Sequence, residues 1–165
     1  MQLNTKTGEF NIENKIFLSP VMCKSTFFEK NDTNWENWFQ LNNNETLGYR
    51  TIYRLKNNQY GPLYLIVTFV DCSDTALLSN WYFAPEMLGD GEQHRPTGGK
   101  VTKRLKAWFK DVSSIMLPVR GKWGHIDAEY DVRNSSASII CNYRNAFKSD
   151  EEWRQYCKWN KIRCK

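Results

Sequence analysis

Leu47, Tyr49, Thr51, Tyr53 and Leu55 recur at every second position, so residues 47–55 carry the period of a β-strand. Residues 63–70 (LYLIVTFV) are almost continuously β-branched, aromatic or aliphatic, which predicts a strand buried on both faces. Turn-forming residues 57–61 (NNQYG) join these two runs, and residues 71–74 lead into a third run at 76–83. The spacing predicts an antiparallel meander. Residues 124–132 (GHIDAEYDV) and 137–143 (ASIICNY), joined through Arg133, Asn134 and Ser135, make the clearest hairpin in the chain. Short runs at 2–4, 9–12 and 15–18 predict a small hairpin or meander at the start.

Helical spacing appears in three places. Residues 22–30 put Met22, Cys23, Phe27 and Phe28 on one face, with Ser19 or Ser25 as the candidate cap. Residues 100–116 form the principal helix, with Val101, Leu105, Trp108, Phe109, Val112 and Ile115 in one stripe and lysines largely opposite. Ser149 to Glu152 reads as a capping box opening a last helix, which directs Trp153, Tyr156, Cys157 and Trp159 inward. Two stretches read as loops. Residues 31–44 are Asn-rich, with Trp35, Trp38 and Phe39 expected to tuck onto the domain; exposed, they would mark a binding face. Residues 84–99 hold two prolines and four glycines, a composition that suits a functional loop. The pattern gives an α+β fold, an antiparallel sheet of about six or more strands with two or three packing helices, as one domain over residues 1–165.

Composition narrows this picture. With 41% hydrophobic and 15% aromatic residues the chain can build a core, which excludes a disordered polymer. No apolar run is long enough to cross a membrane, and the N-terminus lacks the pattern of a secretion signal. The five cysteines (Cys23, Cys72, Cys141, Cys157, Cys164) are odd in number and never spaced C-x-x-C, so reduced thiols and a cytoplasmic setting are expected. Charge is uneven: residues 1–97 carry 8 basic and 11 acidic side chains, and residues 98–165 carry 15 and 7. A basic half can attract nucleic acid or an acidic partner, or can simply solvate helices.

Catalytic chemistry finds little support. A nucleophilic triad needs a histidine, and only His94 and His125 exist, neither beside a nucleophile elbow. No metal site and no cofactor is expected, because the histidines and cysteines lack ligand spacing. The sequence GDGEQHRPTGGK ends like a phosphate-binding loop, but Val101 follows the lysine where Ser or Thr is required. Asp127, Glu129 and Asp131 lie two apart on one strand face, fit for a basic partner or for the solvent side of an edge strand. Lys103, Arg104, Lys106 and Lys110, with the basic residues of 150–163, are the alternative: a nucleic-acid-binding face.

Two segments carry a resemblance. The opening LNTKTGEFNIENKIFLSPVMCKSTF and the hairpin WGHIDAEYDVRNSSASIICNY resemble the corresponding stretches of bacterial immunity proteins from contact-dependent growth inhibition or related polymorphic toxin systems. That resemblance implies a non-enzymatic cytoplasmic protein that binds the C-terminal domain of one cognate toxin, a nuclease in many such systems. A basic toxin would select Glu86, Asp90 and Glu92, or Asp127, Glu129 and Asp131, and His94 and Arg95 of the same Gly-rich loop join the toxin-binding candidates. An acidic toxin would select the lysine-rich helix instead.

Overall fold

The computed structural model describes residues 1–89 and 98–159. Ten strands form two antiparallel sheets. The small one has the order β1-β2-β3, from Gln2–Leu3, Phe10–Ile12 and Ile16–Leu18. The large one contains β4 (Glu36–Gln40), β5 (Thr46–Tyr53), β6 (Leu63–Phe69), β7 (Leu78–Pro85), β8 (Val119–Gly121), β9 (Gly124–Asp131) and β10 (Ser136–Tyr143). Its order is β4-β5-β6-β7-β10-β9-β8, so the meander and the hairpin meet where β7 pairs with β10. The helices are α1 (Lys24–Lys30), α2 (Glu86–Gly89), α3 (Gly98–Ser113) and α4 (Asp150–Trp159).

One face of the large sheet makes the core. Leu63, Leu65, Val67, Trp81, Phe83, Ile126, Ile139, Cys141 and Tyr143 point inward and are wholly buried. The small sheet and α3 cover them. Phe10 stacks on Trp81 at 4.9 Å, Trp81 stacks on Phe83 at 5.5 Å, and Trp108 of α3 meets Phe83 edge-on. Removing any of these rings would forfeit about 3–5 kcal/mol. The β1–β2 turn is locked onto the start of β9. Gly8 has φ +78°, and a methyl group there would collide with the Trp123 indole. The Trp123 ring nitrogen donates to Thr5 O at 2.9 Å.

The structure departs from the sequence expectations in instructive ways. Residues 36–40 are a strand, because β5 offers them a ladder even though their polar composition lowers strand propensity. Trp35 does tuck in, against Phe27 at 4.8 Å, but Trp38 and Phe39 are 48% and 52% exposed. β6 is buried on one face only: Tyr64 is exposed and Ile66 and Thr68 are half-buried. Neither Ser19 nor Ser25 caps α1, whose N-cap is Cys23. Ile115 lies beyond the end of α3 at Ser113. Ser149 does cap α4, accepting from Glu152 N at 3.2 Å, while the Glu152 carboxylate accepts from Lys148 N at 2.8 Å. Trp159, expected inward, is 78% exposed. Of the five cysteines expected as thiols, Cys23, Cys72 and Cys141 are free, Cys157 is disulfide-bonded, and Cys164 lies outside the described residues.

Candidate functional site

Side chains alternate along a strand, so the sheet that buries one set must present the other. The register assembles that outer set into rows. Glu36, Arg50, Ile66, Tyr82, Ile140 and Asp127 face one another across six strands. Ile52, Tyr64 and Ala84 form the next row. Thr68, Asn80, Asn142, His125 and Arg120 form another.

The first two rows are open. Ile52 is 61% exposed and Tyr64 44% exposed. Arg50 bonds Glu36 through Nε at 3.0 Å and lies 4.3 Å over the Trp38 ring. This pair and stack hold a guanidinium and an indole flat at one end of the face. Burial pushes the Tyr82 hydroxyl above its usual range, partly offset by a hydrogen bond from Trp38. A groove of about 380 Å³ runs between Tyr64, Ile66, Tyr82, Ala84, Glu86 and Ser138. Tyr64 donates its hydroxyl to Glu86 Oε1 at 2.9 Å, and that carboxylate raises the tyrosine's pKa.

The third row is closed by α4. Asn80 Nδ2 donates to Asn142 Oδ1 at 2.9 Å, and Asn142 Nδ2 donates to the Tyr156 hydroxyl at 3.1 Å. The same hydroxyl lies 3.1 Å from His125 Nδ1. His125 is 3% exposed, and desolvation lowers its pKa to about 4, with Asp127 opposing the shift and Arg120 and Lys106 adding to it. It is a neutral packing residue of the α4 contact.

The acidic candidates separate into different roles. Glu86 lines the groove. Asp127 is held by Lys106 Nζ at 2.6 Å and also accepts from Ala128 N. β8 pairs only with Gly124–Ile126, leaving Asp127 and the remainder of β9 at the sheet edge, where Lys106 meets Asp127. Glu129 is exposed, and desolvation, then the Asp127 charge, raise its carboxyl. Asp131 accepts from Arg133 N at 2.8 Å and from Asn134 Nδ2 at 2.7 Å; these bonds lower its pKa and make it the cap of the hairpin turn. Asp90, Glu92, His94 and Arg95 lie outside the described residues. On α3, Lys103, Arg104 and Lys110 are exposed, while Lys106 is half-buried against Asp127. Among the described residues, no group of three or more His, Cys, Asp or Glu is placed to hold a metal ion.

The sequence offered Trp38 as a conditional signal of a binding face. Arg50, Ile52, Tyr64 and Tyr82 were missed, since the continuous run at 63–70 conceals which positions face outward.

The large sheet is packed on one side and partly open on the other, with Trp38, Arg50 and Tyr64 held by the contacts described above. The comparisons place the chain in a family. The sequence model of the RhsI1 immunity protein family matches residues 1–162, and the chain belongs to that family. It is an immunity protein, which neutralises a cognate toxin. The solved structure titled "Rhs1-CT in complex with cognate immunity protein RhsI1" contains a similar chain, 40% identical with a TM-score of 0.87 over 98% of both chains. No curated protein matches. The polymorphic-toxin resemblance of the two sequence segments therefore holds, with the Rhs kind in place of contact-dependent growth inhibition.

Proposed function

We propose that this chain, acting as one domain over residues 1–165, docks the C-terminal domain of an Rhs toxin on the open outer face of its large sheet. The observation that carries the reading is the exposed set Trp38, Arg50, Ile52 and Tyr64, with half-buried Tyr82 between them. Tyrosine, tryptophan and arginine in preset poses are the side chains that dominate protein interfaces, because they give large contact area with little ordering cost. Glu86 and Glu129 put negative charge at the other end of the same face. That polarity suits a toxin with a basic surface, such as a nuclease, and would steer its approach.

Inhibition by this route needs no chemistry from the immunity protein. His125 supports a non-catalytic reading, since burial and the Tyr156 contact commit it to packing. Action in the cytoplasm is supported by the free Cys23, Cys72 and Cys141, with the Cys157 disulfide as the contrary observation.

The test is co-expression with the cognate toxin domain. The triple variant W38A/I52E/Y82A should fold normally, fail to co-purify with the toxin and fail to protect cells. Full protection by that variant would sink the outer-face reading.

A further inference from the structure

Thr68, Asn80, Asn142 and His125 stand two positions along β6, β7, β10 and β9 from Ile66, Tyr82, Ile140 and Asp127, on the same side of the sheet. They are the next row of the open face, and α4 covers them through Tyr156.

The helix is held differently from the other elements. Trp153 and Cys157 are buried, yet they cluster with Phe147 and Tyr156 of their own segment and do not join the main core. The Phe147 ring meets Trp153 at 5.1 Å and Tyr156 at 4.9 Å. Toward the sheet the seam is polar. The Tyr156 hydroxyl accepts from Asn142 Nδ2 and lies 3.1 Å from His125 Nδ1, while His125 Nε2 is buried with no partner. A buried polar atom left unpaired disfavours the closed arrangement, and water would satisfy it on opening. Cys23, Cys72 and Cys141 are free thiols, so the Cys157 disulfide fastens α4 to none of them.

The approach to α4 has a fixed end and a loose one. Arg144 N donates to Trp123 O at 2.8 Å and Asn145 Nδ2 donates to Pro20 O at 2.8 Å, which anchors the turn Arg144–Ala146. Arg144 also reaches forward to Asp150 and the Trp153 ring, an exposed pair that holds weakly. Beyond the turn, a cleft of about 590 Å³ separates residues 147–150 from the β1–β2 turn.

We infer that α4 is a hinged lid, which releases the sheet at Tyr156 and swings from the anchored turn with Phe147 while the sheet stays folded. Its opening adds the row Thr68, Asn80, Asn142 and His125 to the open face. The motion belongs to the free protein and does not depend on where the toxin docks.

Hydrogen exchange of the full chain, followed by mass spectrometry at rising subdenaturing urea, tests this. A ten-residue helix is marginal once undocked, so release is read as amide exchange. Residues 150–159 should exchange at least about a hundredfold faster than residues 136–143, with a shallower urea slope. Tyr156→Phe keeps the ring and removes the hydroxyl. It should speed exchange at 150–159 about tenfold and at 136–143 by less than about twofold. Fraying of the helix end alone would not uncover His125, which is 3% exposed. Its labelling by diethyl pyrocarbonate without urea should therefore also rise about tenfold in Tyr156→Phe. Exchange of 150–159 only at the rate and urea slope of 136–143, equal acceleration of both segments, or unchanged labelling of His125 would each overturn the inference.

Discussion

The Tyr143 hydroxyl donates to the carbonyl oxygen of Gly8 at 2.9 Å and accepts from the Trp81 ring nitrogen at 3.0 Å. Gly8 belongs to the opening T-G-E-F, Tyr143 closes the W-G-H…N-Y hairpin, and Trp123 of that hairpin lies against Gly8. The two segments that carry the family resemblance thus touch one another and fasten the small sheet to the large one.

Tyr143→Phe should leave Gly8 O and Trp81 Nε1 buried and unpaired, destabilising the protein by about 1–3 kcal/mol. Gly8→Ala should cost more, because it adds backbone strain at φ +78° to the clash with Trp123. Urea unfolding with constant slope measures both. Gly8→Ala milder than Tyr143→Phe would contradict this packing.

Lys106 and Asp127 form one unit, although the sequence places them on rival candidate surfaces. Asp127→Asn should lower stability by about 1 kcal/mol or less, as expected for a partly exposed pair. Glu129→Gln, at the same strand face without a cation partner among the described residues, removes a charge that folding disfavours, so it should raise stability slightly at neutral pH and slow association with a basic toxin. Stopped-flow association at two salt concentrations separates the two effects.

His125 sets a pH window. Its folded pKa of about 4 lies below the ordinary 6.5, so the unfolded chain takes up this proton first as pH falls. The contribution is complete above about pH 6.5 and is lost on the way to about pH 4, amounting to about 3 kcal/mol. Glu129, whose pKa is raised, acts in the opposite sense. The stability of His125→Asn should vary less steeply over that window; an unchanged slope would show that His125 does not set it.

Tyr82→Ala should weaken toxin binding by about 2 kcal/mol or more, roughly thirtyfold, if the outer face is the docking surface. Calorimetry with the isolated toxin domain measures it. Ser138→Ala, on the wall of the same groove, should change affinity by well under about 1 kcal/mol.

Strand existence was legible where alternation or turn chemistry was strong, as at residues 47–55 and around Arg133 to Ser135. β4 was not, because an edge strand takes its hydrogen bonds from one neighbour and tolerates a polar, fully exposed sequence. β8, Val119–Gly121, is three residues long and follows Pro118, too short to show a period. The open face was hidden for another reason. Ile66 is as apolar as the Leu63 and Leu65 beside it, and Tyr64 is an aromatic that cores and surfaces both use, so hydropathy cannot tell a contact surface from a second core. The acidic triplet was read correctly as sharing a strand face, yet its members answer to different partners, Lys106 for Asp127 and the hairpin turn for Asp131.

The central strands of the large sheet give alternate positions to different tasks, and this has a consequence for how such a protein can change. If the outer face docks the toxin, a substitution at Ile52 or Tyr82 alters what is gripped while leaving Thr51, Trp81 and Phe83 in place. Descendants of one scaffold can therefore drift toward new toxins one outward residue at a time, without passing through an unfolded ancestor.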